Sequence, residues 1–342
     1  MFPFQHPAMN TTEYHEEFDN TAFRLMSLYV ISGLVTIVGN MIVLYICWSS
    51  GKFRLLGFLA LSDCMFGLGI LLAGGARIVY LFNGVFRQPV PRYMCGLAPW
   101  FPLYAISYFW TPSATFLNCL ERLLAVHFAV WFKTRWGKTY ELLTAGICTA
   151  VVLACAIPAY ILVLRPNGGT VGRLCSIVEA TSPTYSAFFS LFQLTVGTLC
   201  ILLNIYVMLA AKRLLARSGL SLGDAHLARE RRMRRSVTGL VSVTFLTIVL
   251  PRMFTSRKYI GLLTGANDFW SSWHMRIMCV LLVQFSSCFN LMLLWALNSE
   301  FRKCAREAFF SAPKNQVGNV KGIAALTHSV GITVVTNVDT AH

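Results

Sequence analysis

Charged side chains are scarce in this sequence. Only 13% of its 342 residues are Asp, Glu, Lys or Arg, against about 25% in a soluble globular domain. With 56% hydrophobic residues and a mean hydropathy of +0.60, that scarcity excludes a water-soluble enzyme, a disordered chain and a secreted disulfide scaffold. Acidic residues are scarcer still, 14 against 29 basic ones, for a net charge of +15. The basic residues fall in short patches between apolar runs and form no single basic face, so they do not point to nucleic acid. The chain also lacks a zinc-protease helix, a nucleophile elbow between a strand and a helix, and a phosphate loop, and its 7 histidines are scattered. Nothing in it marks an enzyme. No internal repeat is visible.

The sequence is rich instead in long apolar runs. A membrane helix needs about 20 mostly apolar residues. Seven runs meet or approach that length: Leu25–Trp48, Leu55–Ala76, Met94–Leu120, Leu142–Leu164, Ala180–Ala211, Ser236–Pro251 and Ile277–Ser299. The second contains one carboxylate, Asp63. The sixth is the shortest and reaches the interface only if Arg252 is tolerated inside it. The expected fold is an all-α membrane protein, a bundle of seven transmembrane helices. Residues 1–24 read as an extracellular segment, 25–310 as the membrane domain, and 311–342 as a polar cytoplasmic tail without fixed structure. The first 24 residues show no basic n-region or apolar h-region, so the first span is expected to act as its own signal anchor.

Lys and Arg collect on the cytoplasmic side of short loops. Counting alternate connections places 10 of them on the side of the N-terminus and 19 on the other. The N-terminus is therefore expected outside and the C-terminus inside. The sequon at Asn10 falls in the segment this places outside, as a glycosylation site requires. The Arg-rich stretch Lys212–Arg235 is read as a cytoplasmic loop that contacts either anionic lipid or a protein partner. Glu300–Phe310 is read as a short amphipathic helix on the inner leaflet, with Phe301, Ala305, Ala308 and Phe309 on its apolar face. Cys304 on that helix is either a palmitoylation site or a plain thiol.

Polar residues recur at fixed depths in these runs. They are Gly39-Asn40 in the first, Leu59-Ala60-Leu61-Ser62-Asp63 in the second, and Glu121-Arg122-Leu123 at the end of the third. Phe245 stands six residues before Pro251 in the sixth. Asn290 lies in the seventh, and Glu300-Phe301-Arg302 opens the short helix. Each resembles a mark of the rhodopsin-like (class A) G-protein-coupled receptors. Together they cover Leu25 to about Phe310, one mark per helix in the right order. The resemblance implies a plasma-membrane receptor that binds an extracellular ligand and activates a heterotrimeric G protein, and membrane lipids are its other partner. It implies a bridge between Cys95 and Cys175, which stand at the outer end of the third span and in the second outer loop. It implies a switch at Glu121 and Arg122, where the bland alternative is an Arg snorkelling at the membrane edge. It also implies a hinge at Phe245 and Pro251.

A carboxylate in mid-membrane must be paired or solvated. Asn40, Thr111, Ser286, Ser287 and Asn290 are the polar residues placed to converge on Asp63. In the family this cluster holds a sodium ion; a hydrogen-bonded polar core without an ion is the alternative. The outer ligand pocket is expected to involve Arg77, Tyr104, Arg252, Arg276 and Gln284. Gln284 stands where retinal proteins carry a Schiff-base Lys, and Tyr104 where amine receptors carry an Asp. No retinal is expected, therefore, and no organic cofactor. The basic outer half favours an anionic ligand, a small molecule or a peptide.

The sequence also departs from the family. Asn290-Leu291-Met292-Leu293-Leu294 lacks the expected Pro and Tyr, Val249 replaces a Trp, and Leu123 replaces a Tyr. Such erosion is similar to that of nematode-type serpentine chemoreceptors or a divergent peptide receptor. Two rival readings stay open, a receptor-like protein that no longer signals and a seven-span channel or transporter. Finally, Cys95 lies two residues further from Arg122 than the family spacing, and Pro99, Pro102 and Pro112 are expected to absorb the excess in kinks or an irregular turn.

Overall fold

The computed structural model describes residues 11–51, 53–165, 169–217 and 299–310, with isolated positions at 249, 282, 292 and 294–296. The described chain is almost entirely helical. In order it forms α1 (Thr11–Ser50), α2 (Arg54–Phe82), β1 (Pro89–Pro91), α3 (Arg92–Leu97), α4 (Trp100–His127), α5 (Ala129–Arg135), α6 (Lys138–Leu164), β2 (Thr170–Gly172), α7 (Ile177–Ala180), α8 (Pro183–Arg217) and α9 (Ser299–Phe310).

Four of these helices are long and apolar enough to cross a membrane: α1 from Asp19 onward, α2, α6, and α8 between Thr184 and Ala210. They correspond to the first, second, fourth and fifth expected spans. The third expected span falls on α3 and α4. α4 is 28 residues long, ample for a crossing, but it carries Tyr, Ser, Thr and Pro through its length. Its position explains this composition, because it packs against α2, α6 and α8 at once and has little surface left for lipid. The sixth and seventh expected spans lie outside the described residues, isolated positions aside.

The helix boundaries follow from local chemistry. α1 is 40 residues long, about 60 Å at 1.5 Å per residue, roughly twice the hydrocarbon thickness. It begins well before Leu25, because the acidic Glu13–Asp19 stretch suits a helix N-terminus. α2 stops at a left-handed Gly84 (φ 64°), where the Val85 amide reaches back to the Tyr80 carbonyl at 3.0 Å. The third run is interrupted at Ala98, which is extended (ψ 130°) as a residue before proline must be. The expected irregular turn is therefore at Ala98–Pro99.

Two seams hold the bundle. α1 and α2 meet backbone to backbone: a Cβ placed on Gly33 would lie 2.9 Å from the Gly67 carbonyl oxygen and 2.9 Å from the Leu71 nitrogen. Small residues permit this approach, which lipid-embedded helices use in place of a hydrophobic driving force. α4 is instead tied to its neighbours by polar side chains. Pro112 removes the amide that would have bonded the Tyr108 carbonyl. Gln193 of α8 takes that place, its Nε2 donating to the Tyr108 oxygen at 2.7 Å. α8 and α6 are also tied directly, the Tyr185 hydroxyl of α8 donating to the Cys155 carbonyl of α6 at 2.6 Å. Asn118 donates to the Leu55 carbonyl of α2 at 3.2 Å, and Asn204 of α8 to the Cys119 Sγ at 3.1 Å.

α9 forms where the amphipathic helix was expected, but with a rotated inner face. Phe301, Cys304 and Ala305 are buried against Val43, Ile46 and Cys47 of α1 and Ala60 of α2, whereas Phe309 is 51% exposed. The helix packs on α1 rather than on lipid alone, which turns Cys304 inward. At 4% exposure its thiol is closed to an acyl chain in this structure.

Candidate functional site

The site residues group at three depths. At mid-depth, Asp63 of α2 is fully buried, as an ionisable group in a membrane must be unless it reaches water. The Ser62 and Thr111 hydroxyls are 2.8 Å apart, and the Thr111 Oγ1 donates to the Asp63 Oδ1 at 3.4 Å. With one proton per hydroxyl, Ser62 therefore donates to Thr111 and Thr111 to the carboxylate. Thr111 thus converges on Asp63 as expected, and Ser62 joins it. Asn40 is buried on α1 but donates to the Thr36 carbonyl of its own helix at 3.0 Å, with no hydrogen bond to Asp63. Ser286, Ser287 and Asn290 lie outside the described residues. Among the described residues, no three His, Cys, Asp or Glu side chains are grouped as metal ligands.

At the end of the bundle beneath the β1–β2 ribbon, expected to be the outer one, Arg77 of α2 is 5% exposed. Its Nε and Nη2 donate to the Leu174 carbonyl at 3.1 and 2.5 Å, and its guanidinium carbon lies 5.8 Å from the centroid of the Tyr29 ring. No carboxylate among the described residues pairs with it. Tyr104 of α4 lies within its electrostatic reach, its ring tilted against those of Phe66 (6.2 Å) and Tyr108 (5.7 Å). The Tyr104 hydroxyl, the Trp100 indole nitrogen and the Ser107 hydroxyl are buried with no hydrogen-bond partner among the described residues. Each of these groups carries a proton to donate, as does the Arg77 guanidinium, so this end of the bundle favours an acceptor. Leu174 belongs to a short roof over it. β1 pairs antiparallel with β2, Val90 opposite Val171, and the Cys95 and Cys175 sulfurs lie 2.07 Å apart, at bonding distance. Prolines are confined to such edges. Arg252, Arg276 and Gln284 of the expected pocket, the hinge residues Phe245 and Pro251, and the sequon residue Asn10 all lie outside the described residues.

At the opposite end of the bundle, Glu121 and Arg122 are half-buried in the last turns of α4. Glu121 is within electrostatic reach of Arg122 and of Glu141, and the described residues show no ion pair between Glu121 and Arg122. Adjacent residues on a helix point about 100° apart, so neither can easily cap the other. Glu141 instead pairs with Arg54 at 2.8 Å, tying the start of α6 to the start of α2. The two residues of the expected switch are thus not paired with each other in this structure.

The sequence reading named Ser62 only within the second-run motif, not as a partner of Thr111, and it missed Gln193, Asn118 and Asn204. Each is a polar residue inside an apolar run, and that was the available signal. No protein-family model matches the chain, and no curated protein matches it.

Proposed function

We propose that this chain is a rhodopsin-like receptor of the plasma membrane, with its N-terminus outside, that binds an extracellular ligand between the outer halves of its helices and activates a heterotrimeric G protein at its inner face. The observation that carries the reading is the arrangement around α4. One helix passes from the roofed Arg77–Tyr104 cluster, through the Asp63–Thr111–Ser62 contact, to Glu121 and Arg122. A single rigid element touching all three depths is what a ligand needs in order to influence the far side. The ligand does so only by binding one arrangement more tightly than another.

The ligand class follows from the outer cluster. A buried guanidinium answered, among the described residues, by a carbonyl and an aromatic ring favours an anionic group, such as a carboxylate, a phosphate or a peptide C-terminus. Chemosensory and neuropeptide-type ligands both supply one. Asp63 is the candidate anchor of a sodium ion. The experiment is a screen of acidic metabolites and peptides against the tagged chain, with G-protein dissociation in cells as the readout. A response lost in Arg77→Ala at normal surface display supports the reading, and an unchanged dose-response curve in that variant contradicts the anionic pocket.

A further inference from the structure

The connection between α4 and α6 has a composition that neither water nor hydrocarbon would favour. From Phe128 to Tyr140 it contains Phe128, Val130, Trp131, Phe132, Trp136 and Tyr140, together with Lys133, Arg135 and Lys138, and no acidic residue. Four of the rings form one platform. Phe132 stacks on Trp136 at 5.4 Å and Trp136 on Tyr140 at 6.2 Å, both at an interplanar angle of 16°. Trp131 closes on Trp136 at 6.0 Å and on Tyr140 at 5.8 Å. The platform leaves apolar surface outward: Phe128 is 54% exposed, Val130 80% and Trp131 39%, followed by Leu142 at 55% and Leu143 at 57% on the first turns of α6.

Connectivity fixes its depth. α6 is long and apolar enough to cross a membrane and starts at Lys138, so the segment lies where a span meets water. Its nearest carboxylate along the chain, Glu141, is held by Arg54. Arg135 and Lys138 are exposed, and the segment carries no acid of its own to neutralise them.

We propose that Phe128–Tyr140 is an interfacial anchor that binds anionic phospholipid headgroups of the adjoining leaflet. Arg135 and Lys138 meet the phosphates, and Trp131 with its neighbouring rings sits at the boundary of the acyl chains. Amphipathic rings and cations prefer that depth, and cations close to an anionic leaflet add attraction that salt screens. The proposal does not depend on the chain being a receptor.

The test places the full chain in nanodiscs of phosphatidylcholine mixed with phosphatidylserine and compares wild type with Arg135→Gln/Lys138→Gln. Phosphatidylserine retained on gentle extraction is measured by mass spectrometry. Quenching by brominated lipid is compared between wild type and Trp131→Phe. The expected results are selective retention of phosphatidylserine, lowered roughly tenfold in the double variant, and a quenchable signal that Trp131→Phe removes. All three substitutions are at the surface, and the unfolding temperature of each variant checks that the fold is kept. Equal retention in wild type and double variant would overturn the anionic preference. A Trp131 signal untouched by brominated lipid would place the platform in water, as a protein-docking surface, and would overturn the anchor.

Discussion

The Pro112–Gln193 contact makes a sharp quantitative prediction. Proline at 112 leaves the Tyr108 carbonyl without its helical donor, and Gln193 supplies one from α8 at 2.7 Å. Gln193→Met keeps the volume and removes the donor. The carbonyl is then stranded in a site where Gln193 is 4% exposed, which costs about 1–3 kcal/mol. Pro112→Ala restores an amide at 112 that bonds the carbonyl within α4. In that background Gln193→Met is expected to cost no more than about 0.5 kcal/mol, the range of an ordinary conservative change. The coupling of the cycle is thus about 1–2 kcal/mol. Equilibrium unfolding in mixed micelles, titrated with dodecyl sulfate, measures all four proteins. Equal costs in the two backgrounds would refute the idea that Gln193 repairs the proline gap.

Other perturbations are read the same way. Gly33→Ala must push α1 and α2 apart, since the nearest atoms are backbone, whereas Gly75 on α2 has nothing within 4 Å of an added Cβ. Both changes gain helix propensity, so the difference between Gly33→Ala and Gly75→Ala isolates an overpacking penalty of about 1–3 kcal/mol; equal stabilities would contradict the close seam. Cys95→Ser opens a loop with a sequence separation of 80, for which the chain-entropy ceiling is about 4–5 kcal/mol. Its surface display should fall sharply, the Cys95→Ser/Cys175→Ser double variant should be no worse, and a clearly worse double variant would argue against the pair. If Asp63 anchors sodium, replacing choline by sodium in the buffer should raise the unfolding temperature of wild type and leave Asp63→Asn unmoved; a rise of the same size in both would remove Asp63 from the ion site.

Much of this architecture is legible in the sequence because lipid imposes long apolar runs. α1, α2, α6 and α8 sit where those runs are, and the Cys95 spacing with Pro99 pointed to the turn found at Ala98–Pro99. The convergence of Thr111 on Asp63 is legible because a buried carboxylate demands a partner. What escaped is what depends on helix rotation. Whether Gln193 faces a stranded carbonyl or lipid is set by the azimuth of α8, which hydropathy does not record. Asn40 satisfied itself one turn back instead of reaching across to Asp63. The inner face of α9 came out one position away from the expected one, because α1 offers Val43 and Ile46 as a surface and the pattern of α9 alone could not say so.

The central claim is that a ligand-governed change reaches a G protein through Arg122. Its most direct test is G-protein dissociation in cells, basal and ligand-driven, for wild type beside Arg122→Ala, with surface display equalised through an N-terminal tag. The account predicts a signal in wild type that the variant loses. A signal of equal size in both would contradict it, as would an ion current through the wild-type chain with no G-protein response at full display.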